Sequence, residues 1–408
     1  MRTETLSGLA TFVIGTAAYG LLPATLWSAG GPLCFGVLAV LGLVLIALNR
    51  GPRPAPGPFL ALGIMVLLLA GLNMLAGGAA QSGLHVLLSY AGVLLLYPTV
   101  VSLGWIGFGS RALLVSALLA AALYSGYLLV QHLVFANNDP APLGYGTVSG
   151  AFNLLVSAAI LLAWVPQRGW HQLGALVGLF AAMIGLILFA NRASILAFTV
   201  TLIVAAAAAP WQSRRNWVAS GGLVAVLLAV PVLAALLLPE STTHVLWRFE
   251  VAIQETWAAF EAPQLTSMGV RIEYWLSGIA AFVERPLTGW GLLEHAQASA
   301  QFRREGAENF PVYSTLHNEF IVHAAAFGFA GLLFMFALFG TALWAIHHAA
   351  MDTDKRAGIL WLSAGFVFLN FDIALNYAPT SYSWWFLTAY FFSTDNVSPR
   401  LSFARIAR

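Results

Sequence analysis

The chain has 408 residues, 60% of them hydrophobic and 8% charged, with a formal net charge of +2 and a mean hydropathy of +0.83. A soluble domain of this length carries far more charge, so the composition excludes one and indicates an all-α polytopic membrane protein. The single cysteine, Cys34, rules out an internal disulfide, and the absence of a basic tract leaves no nucleic-acid partner to expect.

Arg2 leads into an apolar stretch that is followed at once by a second, Leu33 to Leu48, which reads as a retained first span rather than a cleaved signal peptide. About twelve stretches approach the ~20 residues that a ~30 Å hydrocarbon core requires. They cover 6–25, 31–48, 59–77, 84–103, 112–134, 149–166, 173–190, 194–210, 217–238, 318–346, 357–376 and 381–394, the last being short. Pro and Gly at 51–58 and the Asn-Asn-Asp-Pro-Ala-Pro run at 137–142 punctuate them as loops. The chain thus divides into 1–238 with nine spans, a long external segment at 239–317, and 318–408 with three spans and a basic tail.

Short-loop and terminal cations fall on one side of this alternation: Arg2, Arg50, Arg53, Arg111, Arg168, Arg214, Arg215, Lys355, Arg356, Arg400, Arg405 and Arg408. The positive-inside bias makes that side the cytoplasm and places both termini there. Arg192 breaks the rule. It sits in a tight Asn191-Arg192-Ala193 turn on the outer side, where a guanidinium near hydrocarbon costs up to about 2.5–3.5 kcal/mol. That exception predicts an anionic partner.

Residues 239–317 hold most of the acidic residues and two amphipathic segments. In 243–261, Leu246, Phe249, Ile253, Trp257 and Phe260 recur at helical spacing, with Arg248, Glu250 and Glu255 elsewhere. In 267–284, Ser267 is placed to cap a helix whose apolar side carries Val270, Tyr274, Trp275, Ile279 and Phe282. Such helices lie on a bilayer surface or roof a cavity between spans. Pro286-Leu-Thr-Gly-Trp-Gly291 then forces a turn, and loops of this length usually carry function.

The long segment ends at Tyr313-Ser-Thr-Leu-His317-Asn318-Glu319, directly before an apolar helix, so His317 and Arg192 share the outer boundary. An imidazole titrates near neutrality and suits a general base taking the proton of an attacking hydroxyl; the plainer reading is a helix-start histidine bonded to a loop carbonyl. Arg271 either belongs to the same site or pairs with Glu273 or Glu255, and Arg248, Arg285, Arg303 and Arg304 read as solvated or ion-paired. Taken together, two guanidiniums that grip phosphate oxygens bidentately and a histidine at a membrane surface suit a lipid-linked diphosphate. The cations would stabilise charge growing on the departing diphosphate.

Metal is not expected. The first outer loop, near Leu22 to Gly30, has no carboxylate, the Asp352/Asp354 pair and His347-His348 belong to a cytoplasmic turn, and His244, His295 and His323 lack a partner set. Asp372, in the outer part of the eleventh span, is expected to pair with Arg192 or Arg271, the alternative being a snorkelling or protonated acid. Tyr377, Tyr382, Trp384 and Trp385 read as an aromatic belt at the outer boundary, with sugar stacking as a second use.

The ordered set Asn191-Arg192-Ala-Ser-Ile-Leu, Arg271-x-x-x-Trp275, Pro286-Leu-x-Gly-Trp-Gly291, His317-Asn318-Glu-Phe and Gly328-Phe-Ala-Gly-Leu-Leu333 resembles the O-antigen ligase family over about 173–340. Ala193 and Phe320 depart from its commoner Gly and Leu. The resemblance implies a GT-C-like, inverting glycosyltransferase of the Gram-negative inner membrane with a periplasmic active site and no cofactor. Such an enzyme transfers polysaccharide from undecaprenyl diphosphate to a sugar hydroxyl of lipid A–core. By motif, His317 matches the family histidine and Arg192 and Arg271 its two arginines, with Asn318, Asp372, Arg285 and Tyr313 as secondary candidates. O-antigen polymerases and protein O-oligosaccharyltransferases share these residues and differ in acceptor. A transporter, the rival from another class, calls for ionisable groups deep in the spans, where this chain has almost none.

Overall fold

Helices account for every regular element of the computed structural model, which describes residues 2–26, 29–77, 80–135, 147–207, 239–375 and 378–395 together with positions 232 and 236. The first part holds α1 (Arg2–Ala24), α2 (Gly30–Ala47), α3 (Gly57–Gly77), α4 (Ala80–Ser89), α5 (Ala91–Leu94), α6 (Leu96–Ile106), α7 (Ser110–Phe135), α8 (Thr147–Trp164), α9 (Trp170–Phe189) and α10 (Arg192–Ala207). After it come α11 (Pro239–Glu261), α12 (Ser267–Glu284), the short α13 (His295–Ser299), α14 (Glu319–Phe327), α15 (Phe329–His348), α16 (Asp352–Phe371) and α17 (Ala378–Asp395). Five stretches, Gly30–Ala47, Gly57–Ala76, Ser110–Phe135, Trp170–Phe189 and Phe329–His348, are long and apolar enough to cross a membrane. At ~1.5 Å per residue each spans most or all of a hydrocarbon core, and the chain is a helical membrane protein. The expected ninth span, 217–238, and Arg214, Arg215, Tyr377, Arg400, Arg405 and Arg408 lie outside the described residues, apart from positions 232 and 236.

The core sits around α8, whose residues from Ala151 to Trp164 are all buried. α7, α9, α10, α16 and α17 pack about it. Lipid tails are as apolar as leucine, so such helices are held by close packing and by polar groups bonded across the interface. Tyr124 Oη donates to Thr25 Oγ1 (3.0 Å), Asn153 Nδ2 to Tyr124 Oη (3.3 Å) and Ser383 Oγ to Asn153 Oδ1 (2.6 Å), tying together α7, α8, α17 and the end of α1. The connections at one end of the bundle meet through Ser110 Oγ and Met351 Sδ (3.2 Å) and through Gln167 Nε2 and Thr353 Oγ1 (2.9 Å). Arg111, Arg168, Lys355 and Arg356 therefore cluster at that end.

Two expected spans are broken. The fourth, 84–103, runs as α4, α5 and α6 with interruptions at Tyr90 and Leu95. The indole of Trp385 packs directly on the backbone of Gly92, where any side chain would collide with it. The tenth, 318–346, is divided at Gly328 (φ +64°) into α14 and α15. Trp384 and Trp385 form no aromatic belt: both are fully buried, Trp384 against Trp361 and Phe339, and Tyr382 packs on Phe35. Large rings packed together fill interior volume that smaller side chains in a helix cluster would leave empty.

The segment 239–317 folds into α11, α12 and α13 at the Arg192 end of the bundle. Thr266, rather than Ser267, caps α12, its Oγ1 accepting the Gly269 N–H at 3.1 Å. Glu273 is fully buried on α12 and bonded twice by Arg304, from the backbone N–H and from Nε, each at 2.8 Å. The 286–291 turn lies along the α14–α15 junction: Trp290 N–H donates to Ala325 O (2.9 Å), Gly291 N–H to Ala326 O (2.8 Å) and Phe329 N–H to Pro286 O (2.7 Å). This close approach requires glycine. Gly289, at φ +63°, has the Ala326 backbone where a Cβ would stand. Gly289→Ala is expected to lower stability by about 1–3 kcal/mol through backbone strain. Gly126→Ala, where a Cβ meets open space, serves as the reference in thermal unfolding in detergent, and equal melting temperatures would refute the requirement.

Candidate active site

α9 and α10 are joined by two residues. Ala190 takes a left-handed conformation (φ +49°) and Asn191 caps α10, its Oδ1 accepting the Ser194 N–H at 2.9 Å. Arg192 is thereby the first residue of α10, half-buried at a helix start where the peptide dipoles add positive potential. Its Nη2 donates to Ser267 Oγ (2.7 Å) and its Nη1 to Arg248 O (3.2 Å), while Arg248 Nη1 returns to Ala190 O (3.3 Å). Arg248 and Arg271 repel Arg192 and Glu255 attracts it. Glu255 Oε2 is also engaged by the Met268 N–H at 3.0 Å. Positive charge outweighs negative here, which is the electrostatic condition for an anion to bind.

Arg271 lies one turn along α12 from Ser267. The carboxylates first considered for it are used elsewhere, Glu273 by Arg304 and Glu255 by Met268. It reaches instead across to the end of α16, donating Nη1 to Phe371 O (3.0 Å) and Nη2 to Asp372 Oδ2 (3.4 Å). Asp372 is 1% exposed, on extended backbone just past α16. Its other oxygen, Oδ1, meets His317 Nδ1 at 3.2 Å and the Ile373 N–H at 3.0 Å. One buried carboxylate thus joins α12, the segment before α14 and the end of α16.

His317 is held in the left-handed region, at φ +53°, a conformation that costs a non-glycine residue about 1–3 kcal/mol and that clusters at functional sites. Its carbonyl accepts Trp275 Nε1 at 3.4 Å, its ring lies parallel to Tyr274 at 6.4 Å between centroids, and Tyr313 stands edge-on at 6.0 Å. The next two residues clamp the strand of chain that carries Asp372. Asn318 Oδ1 caps α14 through Phe320 N–H (3.0 Å) and Ile321 N–H (3.1 Å) while its Nδ2 donates to Asn370 O (2.9 Å). Glu319 Oε2 accepts the N–H groups of Ala374 (2.9 Å) and Leu375 (3.3 Å). His317 is indeed at a helix start, but its partner is a carboxylate and not a loop carbonyl.

These elements enclose a cavity of about 670 Å³, lined among others by Leu265, Ser267, Arg271, Tyr313, Thr315 and His317. Its size lies within the range of small-molecule sites. Arg192 reaches its rim through Ser267. Of the secondary candidates, Tyr313 lines the cavity and Asp372 lies behind it, whereas Asn318 serves as cap and clamp. Arg285 stands apart, stacked 3.7 Å over Trp290. Arg303 donates Nη2 to Pro311 O (2.7 Å), and Arg304 is committed to Glu273, so both shape the loop that forms one wall. Ser267, Tyr274, Thr315 and Glu319 were not singled out from sequence for this site. Ser267 had a legible signal, standing four residues before Arg271 on the same helix face.

Among the described residues, no three His, Cys, Asp or Glu side chains gather into one cluster. His295 donates Nδ1 to Leu292 O at 2.8 Å, and burial pushes its imidazole down to about 4. His323 bonds Tyr90 Oη through Nε2 at 2.6 Å.

A comparison with curated proteins returned no match. Residues 176–336 match the O-antigen ligase family. The matched stretch runs from within α9 to within α15, containing Arg192, Arg271, His317 and every cavity-lining residue named above, with Asp372 beyond it. Over that stretch the chain is similar to the O-antigen ligase family.

Proposed function

We propose that this protein is an O-antigen ligase that moves a polysaccharide from undecaprenyl diphosphate to a sugar hydroxyl of lipid A–core on the periplasmic face of the inner membrane. About twelve spans with both termini cytoplasmic, 239–317 as the periplasmic unit and 318–408 as the closing spans and tail agree with the gathering of Arg111, Arg168, Lys355 and Arg356 at the end opposite Arg192. The observation that carries the reading is the Asp372 carboxylate shared by His317 (3.2 Å) and Arg271 (3.4 Å) behind the wall of the cavity.

With Nδ1–H directed at Asp372, the His317 ring has Nε2 free as the base, and Asp372 stabilises the imidazolium that forms. The acceptor hydroxyl attacks the anomeric carbon as Nε2 takes its proton. The bond from that carbon to the diphosphate oxygen breaks with its electron pair staying on oxygen, so the configuration inverts. Arg192 and Arg271 receive the negative charge that appears on the diphosphate, as preorganised cations do in phosphate-releasing chemistry. Metal plays no part in this scheme, since the guanidiniums supply the charge.

His317→Ala is expected to abolish transfer while the lipid-linked donor still binds, and His317→Asn, which tolerates the left-handed backbone better, should behave alike. Asp372→Asn should lower kcat by about 10²–10⁴-fold with a small effect on donor affinity, the magnitude of lost base catalysis. Retained turnover in the His317 variants would remove the base from the scheme. Arg192→Ala and Arg271→Ala should each weaken donor binding and cut kcat by about 10²–10³-fold, as loss of one charge-stabilising donor does.

Transfer by purified protein is expected to persist in EDTA, and full loss restored by a divalent cation would contradict leaving-group stabilisation by arginine alone. The acceptor is settled by offering lipid A–core, glycan repeat and pilin separately with lipid-linked glycan. Transfer to lipid A–core supports the ligase, transfer to glycan repeat a polymerase, and transfer to protein alone an O-oligosaccharyltransferase.

A further inference from the structure

We propose that α11 lies in the bilayer surface with Leu246, Ile253, Trp257 and Phe260 among the acyl chains, and that this stripe, continued to Leu265 at the cavity rim, is the track along which a lipid-borne substrate reaches the site. The second half rests on the transferase reading above.

The helix is turned inside out for a protein in water. Leu246, Ile253, Trp257 and Phe260 are spaced seven, four and three residues apart and so share one face. All four are more than half exposed, Trp257 at 71%. The opposite face carries charge inward. Arg248 bonds Ala190 O at the α9–α10 turn, and Glu255 bonds the Met268 N–H at the start of α12. A soluble domain would reverse this arrangement, whereas a helix between a polar site and lipid requires it. Glu250 and Glu261, at one edge of the stripe, are exposed and mark its water side.

Lipid is identified as the occupant by continuity. α15 is a membrane-crossing helix with Phe329, Leu333 and Phe336 exposed along it. Above its start, Ile279 and Val283 of α12 and Leu287 in the turn that follows are exposed, joined to it by the Phe282–Phe329 ring contact (5.1 Å) and the Phe329 N–H to Pro286 O bond. α12 therefore rests where α15 leaves the apolar zone, and α11 packs on α12. Val232 and Leu236, just before α11, are exposed as well. The apolar surface ends at Leu265, which is 70% exposed and also lines the cavity.

The test uses the full chain in nanodiscs of phosphatidylethanolamine and phosphatidylglycerol, with Cys34→Ser and single cysteines at 246, 253, 257 and 260, or at 250 and 261 for reference, each carrying a nitroxide. The stripe positions are expected to collide more with oxygen than with a water-soluble nickel chelate, and the two reference positions the reverse. Nickel access equal to that at 261 would overturn the membrane contact, as would protection from both reagents with spin–spin broadening, which marks a second copy on the stripe. For the track, Trp257→Glu should raise KM for a long-chain polyprenyl donor by about 10-fold with kcat unchanged, the signature of lost uniform binding, and leave a short-chain soluble donor unaffected. An unchanged KM would overturn the track. Absence of transfer by the parent chain would defeat the transferase reading and leave the nitroxide result standing on its own.

Discussion

The site depends on one buried carboxylate. Asp372 is nearly inaccessible, and a charge so placed is strongly unfavourable unless it is paired and hydrogen-bonded. Both of its oxygens are used, by His317 and the Ile373 N–H on one side and Arg271 on the other. Removing either side-chain partner leaves the carboxylate undercompensated, so the convergence of α12, the 313–318 segment and the end of α16 is fixed by electrostatics as much as by packing. Asn318 and Glu319 reinforce it by gripping the backbone at 370–375.

This arrangement explains why two expected continuous spans are interrupted. A straight helix from 318 to 346 would carry α14 past the end of α16; division at Gly328 lets α14 turn so that His317 faces Asp372 and the 286–291 turn packs against the junction. The strained backbone of His317 belongs to the same geometry, being the residue where the chain passes from the cavity wall into the capped helix. Arg192 contributes from another direction. Its two-residue turn cannot wander, and its bonds to Ser267 and Arg248 place an under-neutralised guanidinium at the rim.

Much of this was legible in the sequence. Apolar length and charge counts gave an α-helical membrane protein, and α11 and α12 appear close to the segments expected at 243–261 and 267–284. Arg192 announced itself by breaking the charge rule. What stayed hidden depends on contacts between distant residues. Asp372 was expected to pair with Arg192 or Arg271, but no local pattern sets it above Glu273 as the partner of Arg271, because the choice follows from Arg304 occupying Glu273. Trp384 and Trp385 read as boundary aromatics because periodicity does not say whether a face meets lipid or another helix. The orientation of α11 was hidden for the same reason: its pattern shows two faces, and only the positions of Ala190 and Met268 show that the charged face turns inward.

The most direct measurement is the position of the diphosphate in a cryo-electron microscopy map of the full chain in nanodiscs with undecaprenyl diphosphate. The account predicts phosphate oxygens within hydrogen-bonding reach of both Arg192 and Arg271, about 2.7–2.9 Å for charge-assisted bonds, with the His317 ring opening on the same cavity. A diphosphate bound away from these arginines, with the cavity empty, would contradict it.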